Sequence, residues 1–280
     1  GDFQLSATVN ETASEVDRRY IERSGAKGLY PLMYYSHNLH FVSYARMMQG
    51  RYDDALDYAR RLKRNVDGSI DEMPMIAPYG TFEWLILSRF AKWEELLAQP
   101  RPKEKNGFLN AMYHYSRGLA FAGLGRTNEA KVERAEMEGV SGQISEKEML
   151  MINSARSVLA IGLADLDARI ARAEGDTATE IVHWRRAVDL QDKLSYMEPP
   201  EWHYPVREAL GGALLRQGKP SEAEAVFRKD LEINPRNGRS LFGLLEALKV
   251  QKKSVSTDWV KREFTEAWKY SPASLTIEDL

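Results

Sequence analysis

The segment YPVREALGGALLRQGKPSEAEAVFRKDLEINP, residues 204–235, decides the fold of this chain. On each side of Gly218, apolar and small residues recur every three or four positions, the spacing of an α-helix that buries one face. Gly218 follows the first helical run, and one or two polar residues separate it from the second. The segment therefore predicts two helices joined by a tight corner.

The same segment resembles a tetratricopeptide repeat, a helical hairpin that stacks on copies of itself. In that family, small residues at two positions let the helices of a hairpin approach closely, and an aromatic residue fills the space between neighbouring hairpins. Gly211 and Ala223 occupy the small positions here, and Phe227 occupies the aromatic one. Arg207 and Asp230 depart from the family pattern. The resemblance implies an all-α fold, a right-handed α-solenoid of stacked antiparallel helix hairpins.

Helical periodicity continues along the rest of the chain, and no stretch of useful length alternates as a strand would. Breaks near residues 50, 92, 125, 175, 218 and 252 resemble one another, although Lys92 replaces glycine at one of them. They predict one domain over residues 1–280 with repeats of irregular length and hairpins near 34–65, 76–99, 108–139, 146–196, 203–234 and 237–271. Residues 145–175 show one long helical pattern. An irregular helical bundle is the alternative architecture.

The first residues, GDFQLSA, are similar to GRYDDA at residues 50–55. This similarity predicts that the chain begins at a hairpin corner and opens on a second helix, at about residues 3–22; a cloning scar at Gly1 is the alternative explanation. Residues 20–56 and 197–248 resemble the C-terminal half of bacterial tetratricopeptide-repeat proteins. That resemblance implies further repeats and histidines upstream, but no reaction, and it leaves bacterial cytoplasm and periplasm equally open. Self-association through an uncovered end helix follows as an expectation.

Composition excludes several classes of site. Lys and Arg total 39 against 41 Asp and Glu, a net charge of -2, so nothing favours a nucleic-acid backbone. The chain has no cysteine, which rules out disulfides, thiolate zinc sites and cysteine nucleophiles. No stretch approaches the roughly 20 apolar residues of a membrane span. Phosphate-binding glycine loops and Ser/His/Asp arrangements are absent as well, so no catalytic residue is nominated.

In tetratricopeptide repeats, four positions of each first helix face the concave side. The corresponding positions predict a groove that binds a protein or peptide, which favours a non-enzymatic scaffold that needs no cofactor. The predicted groove residues are His37, His40, Tyr44, Tyr79, Phe82, Met112, Tyr115, Arg169 and Arg172. The two-carboxylate clamp by which some repeat domains hold the acidic tail of chaperones is absent, because His37, His40 and Phe41 stand at its positions.

His37 and His40 support a second hypothesis. They lie three residues apart, so both imidazoles share one helix face and could reach one divalent metal ion. A metal site needs a third ligand, which upstream repeats would have to supply. The alternative function is therefore a metal-binding or metal-dependent hydrolytic protein. Acid/base chemistry by either histidine would need a neighbouring nucleophile or carboxylate, and the sequence shows no such arrangement.

The stretch EPPEWHYP, residues 198–205, is a second dense cluster. Its prolines stop one helix and stand in the first turn of the next. Trp202, His203 and Tyr204 are expected at that helix start, where aromatic residues pack as a cap on the previous hairpin. Contact with a ligand is the alternative role.

Overall fold

A computed structural model describes all 280 residues, and it confirms the predicted all-α class: it contains thirteen α-helices and no β-strand. A π-helical turn (Tyr30–Tyr35) precedes α2, and short 3-10 turns lie at Pro74–Ile76 and Ile277–Asp279. The α-helices are α1 (Phe3–Ser24), α2 (Ser36–Met48), α3 (Tyr52–Val66), α4 (Ala77–Arg89), α5 (Trp93–Leu97), α6 (Gly107–Gly123), α7 (Thr127–Gln143), α8 (Ala155–Ala173), α9 (Thr177–Gln191), α10 (Arg207–Arg216), α11 (Pro220–Ile233), α12 (Gly238–Val250) and α13 (Ser254–Trp268). No helix is both long enough and apolar enough to cross a membrane.

Helix α3 shows how the sequence produces these elements. Ala55, Ala59 and Leu62 repeat at helical spacing, and all three are fully buried. Asp53 and Asp54 lie in the first turn and Lys63 and Arg64 in the last, so the charges oppose the helix dipole at both ends. The amphipathic pattern therefore fixes which face of α3 packs inward.

The six predicted breaks are confirmed as the ends of helices. Gly50, Gly125, Gly175 and Gly218 have φ between 68° and 77°, the left-handed conformation in which a helix commonly ends. At the break without glycine, Ala91 rather than Lys92 takes this conformation, and Lys252 takes it before α13. Each break is followed at once by the next helix, so two helices occupy each predicted hairpin interval.

The helices pack in chain order. Each of α1, α2 and α3 contacts its successor, and the pairs α6/α7, α8/α9, α10/α11 and α12/α13 pack closely. Alternate helices also touch, as in α4/α6, α6/α8 and α10/α12. One continuous cluster of buried apolar side chains extends from Leu39 of α2 to Leu280.

Phe227 of α11 is fully buried between two helices, as expected for a residue that fills the space between hairpins. A Cβ atom added to Gly211 of α10 would lie 2.4 Å from its ring, and one added to Gly243 of α12 would lie 2.1 Å from it. Both glycines are therefore required for the ring to fit, and the close approach of three helices depends on them.

Two sequence expectations about helix limits are wrong, whereas the expected helix at residues 3–22 is confirmed and runs to Ser24. Residues 145–154 are not helical, and α8 begins only at Ala155. The Glu201 carboxylate accepts the backbone N–H groups of Met151, Ile152 and Asn153, which removes them from any helix. Helix α10 also begins later than expected, at Arg207.

The helix series bends back so that distant parts of the chain meet. The start of α1 lies against the end of α11, where a Cβ on Gly1 would be 2.3 Å from the carbonyl oxygen of Pro235. Near α13, the Ser271 hydroxyl donates to the carbonyl of Gly50 at 3.3 Å. The curved series therefore encloses an interior, which positions the candidate site.

Candidate functional site

Helices α2, α4, α6, α8, α10 and α12 turn side chains toward this shared interior, which we call the inner face. An ion pair joins α4 to α10, with Arg89 and Glu208 2.5 Å apart. On the same face, the Tyr115 hydroxyl of α6 donates to Asp165 of α8 at 2.8 Å. Residues far apart in sequence thus form one continuous surface.

His40 lies in an aromatic pocket of the inner face. Its ring centroid is 4.4 Å from that of Phe82 and 5.4 Å from that of Tyr79, in edge-to-face contact. Met112 lines the same cavity of about 30 Å³. Burial, with a smaller contribution from His37, lowers the pKa of His40 to about 3, so its imidazole is neutral. The structure therefore brings four of the predicted groove residues together.

His37 lies one turn before His40 and is exposed, with its ring centroid 4.6 Å from that of Phe41. Partial burial of the imidazole lowers its pKa too. The chain holds no group of three or more His, Asp or Glu side chains arranged to bind a metal ion. The metal hypothesis thus still has two ligands, His37 and His40, and it stays a prediction.

A buried hydrogen-bond network surrounds Asp165, which is fully buried in α8. Its carboxylate accepts from the hydroxyls of Tyr115 at 2.8 Å and Tyr204 at 2.6 Å, and from Nε of Arg169 at 2.7 Å. Burial and the charge of Asp165 raise the pKa of both tyrosines, so they remain protonated donors. Tyr115 and Arg169, two predicted groove residues, are thereby engaged within the fold.

The segment before α10 fills part of the inner face. Trp202 and Tyr204 are buried, and the Trp202 ring lies 5.4 Å from that of Tyr115. A Cβ on Gly162 of α8 would lie 3.2 Å from the Trp202 ring. This aromatic cluster therefore packs across the inner face, and a partner could reach Tyr115 or Met112 only if the segment moved.

The C-terminal segment, residues 273–280, covers another part of the inner face through its backbone. Arg172 donates to the carbonyl of Glu278 at 3.2 Å, and Arg216 donates to the carbonyls of Ile277 at 3.1 Å and Leu280 at 3.2 Å. Of the predicted groove residues, Arg172 is thus the one that binds the main chain of this segment, within its 3-10 turn. Sequence patterns could not find this contact, because residues 273–280 show no periodicity that marks their path.

A larger cavity of about 630 Å³ lies open between the first two helices and the segment that links α9 to α10. Its aromatic lining includes Tyr44, the remaining predicted groove residue, whose ring centroid lies 6.3 Å from that of Phe3. The other aromatic residues around it are Phe41, Tyr196, Trp202 and Tyr204. Sequence reasoning missed Phe3 and Tyr196, because they lie outside the repeat positions that define the groove.

Each end of the helix series carries exposed apolar side chains. Leu5, Val9 and Val16 of α1 are more than half exposed, as are Val255 and Trp259 of α13. Such surfaces are where self-association through end helices would occur, and that expectation stays a prediction.

Neither a scan against protein-family models nor a search of curated proteins found a significant match to this chain.

Proposed function

We propose that the protein is a non-enzymatic binding scaffold: a right-handed superhelix of tetratricopeptide-type hairpins whose inner face holds an extended segment of a partner protein. The chain-order packing of the helices and the glycine-bounded fit of Phe227 support the repeat architecture. Solenoids of this kind present a concave surface to their partners.

The observation that carries the proposal is the open cavity of about 630 Å³ beside Tyr44. Its size falls within the range of about 300–1,000 Å³ typical of ligand pockets. Aromatic side chains dominate the anchors of protein interfaces, because they bury a large area at low cost in conformational entropy. The cavity is thus suited to take one or two apolar side chains of a bound segment.

The charges around the cavity indicate what the partner carries. Asp2, Asp192, Glu198 and Glu201 line it, against Arg207 as the one cation among its lining side chains. Arg207 is already paired with Asp192 at 2.5 Å. A partner segment with Lys or Arg beside its apolar residues complements this surface.

The contacts of residues 273–280 support the same mode of binding. Arginines of α8 and α10 donate to the main-chain carbonyls of this segment rather than to its side chains, and Arg216 also pairs with Glu180. Main-chain recognition supplies affinity for a bound segment while leaving its sequence free, and pockets then provide specificity. The inner face therefore offers both elements that a peptide-binding scaffold needs.

Selection from a random peptide display library on the full chain tests the proposal. We expect enriched peptides to combine basic with aromatic or aliphatic residues. Ser6 lines the cavity from α1, so Ser6→Trp should fill the space and abolish binding. Ser24→Trp, on the exposed end of the same helix, is the matched control and should bind as the wild type does. Peptides that bind the Ser6→Trp variant and the wild type equally would refute the proposed groove.

A further inference from the structure

A separate cavity of about 230 Å³ lies deeper on the inner face, where residues 273–280 cover α4, α8 and α12. Three arginines line it, Arg89 of α4, Arg169 of α8 and Arg239 of α12, together with His203. No function proposed above uses this space, and the cavity for a partner segment is a different one.

Two of these arginines have carboxylate partners and the third has none. Arg169 pairs with Asp165 at 2.7 Å, and Arg89 pairs with Glu208 at 2.5 Å. Arg239 is only 8% exposed, yet it forms no ion pair. Its guanidinium donates to two backbone carbonyls, those of Asp279 and Arg89. A buried guanidinium without a counter-charge is costly, which is why such groups are almost always paired.

Three carboxylates, those of Glu208, Glu278 and Asp279, also line the cavity, but none of them forms an ion pair with Arg239. Glu208 accepts from Asn237 at 2.8 Å as well as from Arg89. Asp279 accepts from the backbone N–H and the hydroxyl of Thr276 at 2.7 and 2.9 Å. Burial, together with the neighbouring charge of Arg89, lowers the pKa of Arg239 to about 9, although Glu208 and Asp279 act in the opposite direction.

Two further polar atoms around this cavity lack partners. Nε of Arg89 and Nδ1 of His203 are buried and form no hydrogen bond. A buried polar group without a hydrogen bond destabilises the fold, so natural structures rarely retain one without a role. Both residues line the cavity that Arg239 lines, so a guanidinium without an ion pair and two polar atoms without hydrogen bonds coincide in one place.

We propose that this cavity is a binding site for a small oxyanion, a phosphate or carboxylate group, held by the guanidinium of Arg239 with the free Nε–H of Arg89 beside it. The planar fork of a guanidinium matches both groups in a bidentate arrangement. The cavity is smaller than the roughly 300 Å³ at which pockets for drug-sized molecules begin, so the ligand is small. Ser274 and Glu278 in the covering segment are exposed to solvent, which places the site near an opening.

Thermal unfolding of the full chain at constant ionic strength tests this site. Inorganic phosphate and succinate are the two probes, and comparing them shows which oxyanion the site prefers. We expect at least one probe to raise the melting temperature with a saturating dose dependence, because a ligand that binds only the folded state stabilises it by mass action. General salt effects do not saturate in this way. A wild-type chain without a saturating response to either probe would overturn the proposal.

Substitutions at Arg239 separate a specific site from general anion binding. Arg239→Met removes the charge and should eliminate the saturating response, whereas Arg185→Met, at an exposed position of α9, should retain it. Without anion, Arg239→Met should melt no lower than the wild type, since it removes an unpaired buried charge. If that variant does not fold, Arg239→Lys is the alternative test. Lysine keeps the charge but lacks the paired N–H donors of the guanidinium, so anion binding should weaken by about tenfold or more. A response equal to that of the wild type in either variant would refute the assignment.

Discussion

The contact around Phe227 and the inner face around Asp165 join helices in different ways. Phe227 is surrounded by α10, α11 and α12, which follow one another in the chain, and the contact is dry. Asp165 gathers Tyr115 from 50 residues before it and Tyr204 from 39 residues after it, through charged and hydrogen-bonded groups. The first contact depends only on helices that are adjacent in the chain, whereas the second depends on the curvature of the whole helix series.

This difference separates what stabilises the helix stack from what the inner face can do. Apolar contacts between successive helices contribute in proportion to the area they bury and hardly depend on pH. The inner face contains buried histidines, arginines and carboxylates, so its stability depends on pH and on bound ions. Substitutions in the helix stack should therefore change stability equally at all pH values, whereas substitutions on the inner face should change how stability depends on pH or bound ions.

The largest effect is expected at the dry contact. Phe227→Ala removes a fully buried ring from between two glycines, and the backbone around it can collapse only in part. We expect the free energy of unfolding to fall by about 3–5 kcal/mol, measured by urea denaturation. The half-buried Phe264 of α13 is the matched control, and Phe264→Ala should cost clearly less. Equal losses in the two variants would mean that Phe227 has no special role between the helices.

The sequence could predict the first region much better than the second. Short local patterns identify these features. Gly50 and Gly218 mark left-handed helix ends, and the residues around Phe227 mark a close approach of helices whose gap an aromatic ring fills. Predicted groove residues such as His40 and Arg172 contact other helices or segments of this face, and their role in binding a partner stays a prediction.

What covers the groove could not be predicted. The segment with Trp202 and the segment that ends at Leu280 have no period, so nothing in their composition indicates where they pack. The pairing of Arg89 with Glu208 spans 119 residues and depends on how far the series curves. The position of an irregular segment is set by many weak contacts with residues distant in the chain, and a single sequence does not reveal which residues these are.

An intermediate effect is expected from acid on the inner face. The pKa of His40 is about 3 in the folded chain against 6.5 in an unfolded one, so the unfolded chain takes up the proton first as the pH falls. The contribution of His40 to the free energy of unfolding is therefore fully present above pH 6.5. It is lost progressively at lower pH, by about 2 kcal/mol at pH 5. His40→Leu should abolish that share of the acid sensitivity. The measurement is the difference in unfolding free energy between variant and wild type at pH 7 and pH 5.

His37 provides the control for that pH experiment. It lies on the same helix face but is exposed, so His37→Leu should change the pH dependence less than His40→Leu does. A pH dependence that is unchanged in the His40→Leu variant would show that this imidazole does not resist protonation in the fold.

The smallest global effect, and the sharpest test of the comparison, is expected at Glu201. Its carboxylate accepts from the backbone N–H groups of Met151, Ile152 and Asn153 at 2.9, 3.0 and 3.1 Å, and so ties the segment that covers the inner face to the loop before α8. Glu201→Gln keeps one acceptor oxygen but loses the charge, which weakens these bonds by about 1–2 kcal/mol.

Hydrogen exchange of individual amides should locate that loss. If the covering segment opens independently of the helix stack, the amides of residues 151–153 should exchange about 5–30 times faster in Glu201→Gln, while those of α3 and α8 keep their rates. Glu198→Gln is the matched control, since Glu198 is exposed on the same segment and contacts only the Tyr196 hydroxyl. If amide exchange instead became equally faster throughout the chain, the covering segment and the helix stack would unfold together. In that case a partner could enter the inner face only at the cost of the whole fold, and the open cavity beside Tyr44 would remain the accessible part.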